Sequence, residues 1–243
     1  MTLSASASAE LARALDAAAV QSGVSLDALM AVASFQCAQL ARTLLDSWPP
    51  AGPVAVLAGR GNNGGDALGC ARHLAAGGTV VRAVVLGDLS DPESSYSRQA
   101  LAANAAGVVV RSLTGGEAGP IARTLDGASL IVDGLLGTGS TGPPRGAVAG
   151  AVRCINAAAA PVLAIDLPSG LDATSGEVAS ECVRADWTLM LAIPKSGCLA
   201  AAAASVVGEL WLADIGIPAG AYQRVGLSAP QFRAASMRRW VGH

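Results

Sequence analysis

The sequence predicts a three-layer α/β/α domain on a mostly parallel sheet, with two extra helices at the N-terminus. Three observations predict it. Short apolar runs that read as strands recur at regular spacing and alternate with helical stretches. Only 14% of the 243 residues are charged against 52% apolar, so fully buried strands and Ala-rich helices must absorb much of the chain, as in a sheet covered on both faces. The length also suits one layered unit, which at this size buries roughly 70% of its unfolded surface.

The N-terminal stretches 9–22 and Leu26–Leu45 carry apolar residues at helical spacing, are separated by Gly23 and run out at Trp48-Pro49-Pro50. They read as two helices that pack on the sheet or on a second subunit, which points to a homodimer. Strands are expected at Val54–Ala58, 79–86, 108–111, 130–133, 161–166, 187–193 and 209–214, with helices over roughly 66–76, 93–106, 117–126 and 146–159. The alanines of 200–204 suit another packed helix. Signals after Gly220 are weak. A single domain over 1–243 follows, with a core at about 10–218 and a partly ordered extension at 219–243.

Composition excludes several classes. Net charge is −2 and the basic residues do not cluster apart from Arg238 and Arg239, so a nucleic-acid partner is not expected. Mean hydropathy is +0.47. The longest uncharged run, between Asp27 and Arg42, still falls short of the about 20 residues of a spanning helix, so no membrane segment is expected. No Lys or Arg precedes an apolar block at the N-terminus and Glu10 and Arg13 come early, which predicts no signal peptide and a cytoplasmic location. Cysteines 37, 70, 154, 182 and 198 are odd in number with no C-x-x-C pair, which argues against disulfides or zinc and for small buried residues. The two histidines, His73 and His243, are too few for a metal cluster, and His73 falls in a helical stretch with a structural role.

Ligands of open α/β sheets bind beyond the carboxyl ends of strands, so the loops there carry the chemistry. The first reads Gly59-Arg60-Gly61-Asn62-Asn63-Gly64-Gly65-Asp66. Its glycines allow close backbone approach to a ligand, and amides at a helix start favour a phosphate. Asp66 repels a phosphate placed against it, so its neighbour is a ribose, an amide or a cation, or else it only caps the helix. The second runs from Asp133 through Gly137-Thr138-Gly139-Ser140-Thr141-Gly142-Pro143 to Arg145, which is either a phosphate partner or a surface ion-pair partner. The third is Asp166-Leu167-Pro168-Ser169-Gly170-Leu171-Asp172. Two strands that end in Asp, facing an Asn-Asn-Gly-Gly-Asp loop, suggest convergence on one site.

These loops, in this order and spacing, resemble the YjeF N-terminal domain family, a Rossmann-like group comprising the NAD(P)H-hydrate epimerases and some non-catalytic relatives. The resemblance continues through Ala185-Asp186-Trp187-Thr188, Pro194-Lys195-Ser196-Gly197 and Asp214-Ile215-Gly216-Ile217-Pro218, covering about 10–218. It implies an isomerase that interconverts the R and S forms of NADH or NADPH hydrated at nicotinamide C6 and feeds the S form to an ADP- or ATP-dependent dehydratase. It further implies substrate contacts at Asn62, Asn63, Gly64, Gly65 and Asp66, at Gly137, Thr138, Gly139, Ser140, Thr141, Gly142 and Pro143, and at Asp166. A potassium ion held by Asn63, Asp133 and Ser169 is implied as well, which agrees with the preference of hard cations for oxygen donors.

For the chemistry, loss of the C6 hydroxyl beside the ring nitrogen gives an iminium, and water returning on the other face gives the epimer. Asp166 is the expected acid/base, with Lys195 as second candidate for general acid or phosphate contact. Where many family members carry Leu-Met-Glu-x-Ala-Gly, this chain has Leu29-Met30-Ala31-Val32-Ala33-Ser34; Ala67 replaces a Gly, and Leu136-Gly137-Thr138-Gly139 replaces Phe-Gly-x-Gly. A relative diverged to another isomerase or hydratase substrate, and a non-catalytic nucleotide-binding or interaction module, are the alternative readings.

Overall fold

A computed structural model describes residues 6–47, 52–115, 118–232 and 235–241; Trp48-Pro49-Pro50 and His243 lie outside the described residues. Its strands are β1 Val54–Ala58, β2 Val81–Leu86, β3 Val109–Leu113, β4 Leu130–Gly134, β5 Val162–Ile165, β6 Trp187–Leu191, β7 Glu209–Ala213 and β8 Met237–Arg239. They form one sheet in the order β3-β2-β1-β4-β5-β6-β7-β8, parallel throughout except for the antiparallel β7–β8 pair. The helices are α1 Ala9–Gln21, α2 Leu26–Leu45, α3 Asn62–Ala76, α4 Ser95–Ala105, α5 Ala118–Leu125, α6 Gly146–Ala157, α7 Ser196–Leu199, α8 Ala204–Val207 and α9 Ala219–Arg224.

Side chains alternate across a strand, and the two faces of β1 show it. Val54, Val56 and Ala58 join the core beneath α1 to α4, whereas Ala55 and Leu57 join the one beneath α5 and α6. Both N-terminal helices start on serines: Ser8 Oγ accepts from Leu11 N at 3.2 Å and Ser25 Oγ from Ala28 N at 3.1 Å. They pack on the protein's own core through Leu15, Ala19, Leu40 and Ala41. By length and composition alone α2 is apolar enough to cross a membrane, with a mean hydropathy of 1.3, but 61% of that stretch is buried inside the protein. It also contains Asp27 and Arg42, and behaves as a core helix.

Several boundaries differ from the sequence reading. The helix expected from residue 66 begins at Asn62, with extended Gly61 as N-cap. Asn and Gly have poor helix propensity, yet tertiary contact decides here: a Cβ on Gly64 would lie 2.0 Å from Gly59 O, so the helix can seat against the end of β1 only with glycine there. Asp66 is therefore one turn inside α3 and is not a cap. The strand expected to 193 stops at Leu191 because Ala192 turns to φ 62°. Residues 200–204 form a short 3-10 turn at Ala201–Ala203 that runs into α8. The weakly patterned tail contributes α9 and the edge strand β8, whose three residues include two arginines.

Candidate active site

The chain runs from β1 outward to β2 and β3, then crosses to β4 and outward the other way, so the switch point lies between β1 and β4. A cavity of about 770 Å³ opens there. The loops after β1 and β4 run in contact: Gly59 N donates to Gly134 O at 3.0 Å, and a Cβ on Gly59 would lie 1.9 Å from Leu135 O.

Asn63, in the first turn of α3, donates from Nδ2 to Leu136 O at 2.7 Å and to Ile165 O at 3.1 Å, binding the ends of β4 and β5 together. Its Oδ1 is buried with no hydrogen-bond partner. Asp133, fully buried at the end of β4, accepts from Leu135 N at 3.1 Å, from Ser169 N at 2.8 Å and from Ser169 Oγ at 2.7 Å. Burial pushes its pKa up, against the pull of those donors. Ser169 Oγ in turn accepts from Leu136 N at 2.9 Å. Asn63, Asp133 and Ser169 thus form one buried polar chain below the cavity, of which only Asn63 reaches its lining.

Asp166 follows β5 at φ 67°, a left-handed conformation that Asp tolerates better than most residues. Its Oδ1 is in an ion pair with Lys195 Nζ and accepts from Leu191 N at 3.3 Å. Lys195 is 3% exposed and also donates to Leu191 O. Its loop is pinned by Gly197 N donating to Ala173 O at 2.8 Å. Both side chains line the cavity, as does Asp66, whose pKa is held well above the usual carboxylate range by burial first and then by the charges of Asp166 and Asp16.

Of the other residues singled out in the sequence, Asn62, Gly137, Thr138, Gly139, Ser140 and Arg145 line the cavity. Gly64 and Gly65 are buried in the first turn of α3, and Thr141, Gly142 and Pro143 stand outside the lining. His73 lies away from the cavity with its ring edge-on to Phe35 at 5.5 Å, and Cys37, Cys70, Cys182 and Cys198 are buried. Asp186 and Thr188 are structural: Asp186 Oδ2 accepts from Val162 N at 2.8 Å and Thr188 Oγ1 donates to Val207 O at 2.7 Å.

Sequence reasoning placed a helix at α1 but missed its part in the site. Arg13 and Asp16 project from it to the cavity wall, and the only linear signal is their spacing, three apart in an Ala- and Leu-rich helix. Burial raises the Asp16 pKa to about 6, with Asp166 adding to the rise and Lys195 opposing it. Where the resemblance has a Glu, Ala31 is exposed and outside the lining, while Met30 beside it faces the cavity.

The family model for YjeF-related protein N-terminus matches residues 26–197, a stretch that holds β1 to β6 and all three loops. The chain belongs to this family. It is 38% identical over 216 residues to the NAD(P)H-hydrate epimerase of Dehalogenimonas lykanthroporepellens, which covers 88% of this chain and 83% of the relative. It is also 38% identical over 198 residues to the bifunctional NAD(P)H-hydrate repair enzyme Nnr of Pyrobaculum aerophilum, spanning 78% of this chain but 38% of that longer protein. The crystal structure of the yeast protein ynu0 superposes with a TM-score of 0.82 at 24% identity, over 97% of this chain and 100% of the yeast one, and shows the same fold. In this YjeF-family chain the matched stretch begins after α1, so Asp16 lies outside it.

Proposed function

We propose that this YjeF-family protein is an epimerase that interconverts the R and S forms of hydrated NADH and NADPH. One observation carries the chemistry. Asp166 sits at the switch-point cavity on a left-handed backbone, ion-paired to a buried Lys195 that also fixes it to the end of β6. Epimerisation at C6 breaks the bond to the hydroxyl, leaves an iminium with the ring nitrogen, and re-forms the bond to water from the other face. Asp166, held in place by its ion pair with Lys195, takes the proton that the incoming water gives up. The cavity's volume falls within the range of small-molecule sites. The lining of Gly137, Thr138 and Gly139 suits an anionic dinucleotide backbone.

The residues present fit a potassium ion. Asn63 Oδ1 is a buried acceptor with no donor, and Asp133 is a carboxylate in a fully buried position; a cation resolves both. Asn63, Asp133 and Ser169 would hold it, with carbonyl oxygens of the adjoining loops, and its fixed positive charge would hold those loops together. We place the protein in the cytoplasm, with the S product passed to an ADP- or ATP-dependent dehydratase. A homodimer belongs to the same reading, since Val20, Leu26, Val32 and Phe35 of α1 and α2 are exposed; sedimentation in dilute buffer checks it.

The test is conversion of R-NADHX to the S form with and without potassium. Asp166→Asn keeps a residue that tolerates the left-handed backbone, so the fold is retained, and turnover falls by roughly 10²- to 10⁴-fold. An unimpaired variant removes Asp166 from the role. Nucleotide binding without turnover in the unmutated protein favours the non-catalytic module, and turnover of another hydrate favours a diverged substrate.

A further inference from the structure

The epimerase reading leaves one proton without a source. The departing hydroxyl must gain a proton while the incoming water loses one, so two groups in opposite protonation states have to face the ring together. Asp166 and Lys195 are engaged with each other, and Lys195 is also committed to Leu191 O. We propose that Asp16 on α1 is the catalytic acid that protonates the C6 hydroxyl as it leaves, with Asp166 the base that takes a proton from the returning water. This rests on the epimerase reading and adds a residue from an element outside the matched family stretch.

Asp16 lines the same cavity as Asp166 and Lys195. Among the described residues no hydrogen bond or ion pair holds its carboxyl, so it is free to meet a ligand, whereas Asp166 is tied on two sides. Its helix is fastened to the loop that carries Lys195. Ala7 N donates to Pro194 O at 2.8 Å, Ser196 N donates to Ala7 O at 2.9 Å, and Ala9 N donates to Thr174 Oγ1 at 3.0 Å. Leu15, 1% exposed, anchors the next position into the core. Asp16 is therefore carried over the strand ends on a rigid support and does not depend on a flexible loop.

The charged and titratable groups around it are Lys195 after β6, Asp166 after β5, Asp66 on α3, Tyr222 on α9 and Arg13 on its own helix. Burial and Asp166 raise the Asp16 pKa to about 6 despite Lys195, which places its proton exchange near neutrality, where a general acid is most effective. The balance closes. The Asp16 proton goes to the hydroxyl oxygen, the C6–O electron pair departs with it as water, and the ring nitrogen supplies the pair for the iminium. Water then adds to C6 and its proton passes to Asp166. Cavity water relays the proton from Asp166 back to Asp16, which restores both carboxyls, and in the reverse direction the two exchange roles.

The experiment compares the full chain with Asp16→Asn and Asp16→Glu, following R-to-S conversion and incorporation of ¹⁸O from labelled water across pH 5 to 8. For Asp16→Asn the expected results are a kcat lower by about 100-fold or more, a KM within about threefold, and a parallel loss of ¹⁸O incorporation. The unmutated enzyme should show a limb that declines as pH rises through about 6, absent in Asp16→Asn and partly restored in Asp16→Glu. Asp16→Asn within about threefold of the unmutated rate, or a slower variant that keeps the limb, overturns the assignment. If Asp16→Asn does not fold, Asp16→Glu decides: a displaced limb supports the role and an unmoved limb overturns it. An unmutated chain that binds nucleotide but epimerises nothing overturns the epimerase reading first, and the Asp16 role with it.

Discussion

Ser169 holds both carboxylate oxygens of Asp133, giving its amide to Oδ2 at 2.8 Å and its hydroxyl to Oδ1 at 2.7 Å. The same hydroxyl oxygen accepts from Leu136 N at 2.9 Å, so one small side chain ties the end of β4 to the loops after β4 and β5. Ser169→Ala leaves a buried carboxylate short of a donor and an amide short of an acceptor, at an expected cost of roughly 1–3 kcal/mol in urea unfolding. If the buried polar chain is the ion site, the variant also loses potassium stimulation of epimerisation. A destabilised variant with an unchanged potassium response would take Ser169 out of that site.

Asp16 links function to stability through pH. Its pKa is raised from 3.8 to about 6 in the folded protein, so the folded state holds this proton more tightly than the unfolded chain does. The contribution is intact below about pH 4, declines as pH rises through 6, and is lost above that. Asp16→Asn is accordingly expected to stabilise the fold at pH 7.5 by on the order of 1–2 kcal/mol, discounted for the group's partial exposure, and to be near neutral at pH 4. Thermal unfolding at the two pH values checks this. Equal effects at both would contradict the sign.

The three loops were legible in the sequence because the apolar runs of β1, β4 and β5 give way to Gly or Asp; of these residues Gly59 and Asp166 reach the cavity, while Asp133 stays buried below it. The start of α3 was not. Asn62 to Gly65 read as loop by propensity, and what makes them helical is the approach of Gly64 to Gly59, a tertiary fact. Asp16 carried no local signature either, since its place over the strand ends depends on Ala7 pairing with Lys195, far away in the chain. β8 was hidden for the same reason: a three-residue edge strand with two arginines has no pattern until β7 is there to receive it.

Ala192 holds φ 62° just after β6, a conformation costly for a residue with a Cβ and no polar side chain to compensate. The surroundings fix it: Ala192 N donates to Ala213 O at 2.9 Å and Ala192 O accepts from Tyr222 Oη at 3.0 Å. Ala192→Gly should relieve the strain and raise stability by about 1 kcal/mol in denaturant unfolding, net of the greater freedom glycine adds to the unfolded chain. No gain would mean that the strain is absorbed elsewhere in the turn toward Lys195.

α2 and α3 meet where Ser34 faces Gly69. A Cβ on Gly69 would lie 2.1 Å from Ser34 Oγ and 2.6 Å from Ser34 Cβ, so a side chain on α2 fills the space that glycine leaves on α3. Ser34 stands where the resemblance has glycine, and its Oγ is buried without a partner, so the space is filled at the cost of an unsatisfied hydroxyl. Gly69→Ala alone should destabilise by roughly 1–3 kcal/mol, because overpacking outweighs the gain of about 1 kcal/mol in helix propensity. With Ser34→Gly already in place both clashing atoms are gone; Gln99 Oε1, at 3.3 Å, has to give only slightly. Gly69→Ala then stabilises α3 and the sign reverses. A double-mutant cycle by thermal unfolding measures the coupling, and additive effects would show that the two helices adjust independently of this contact.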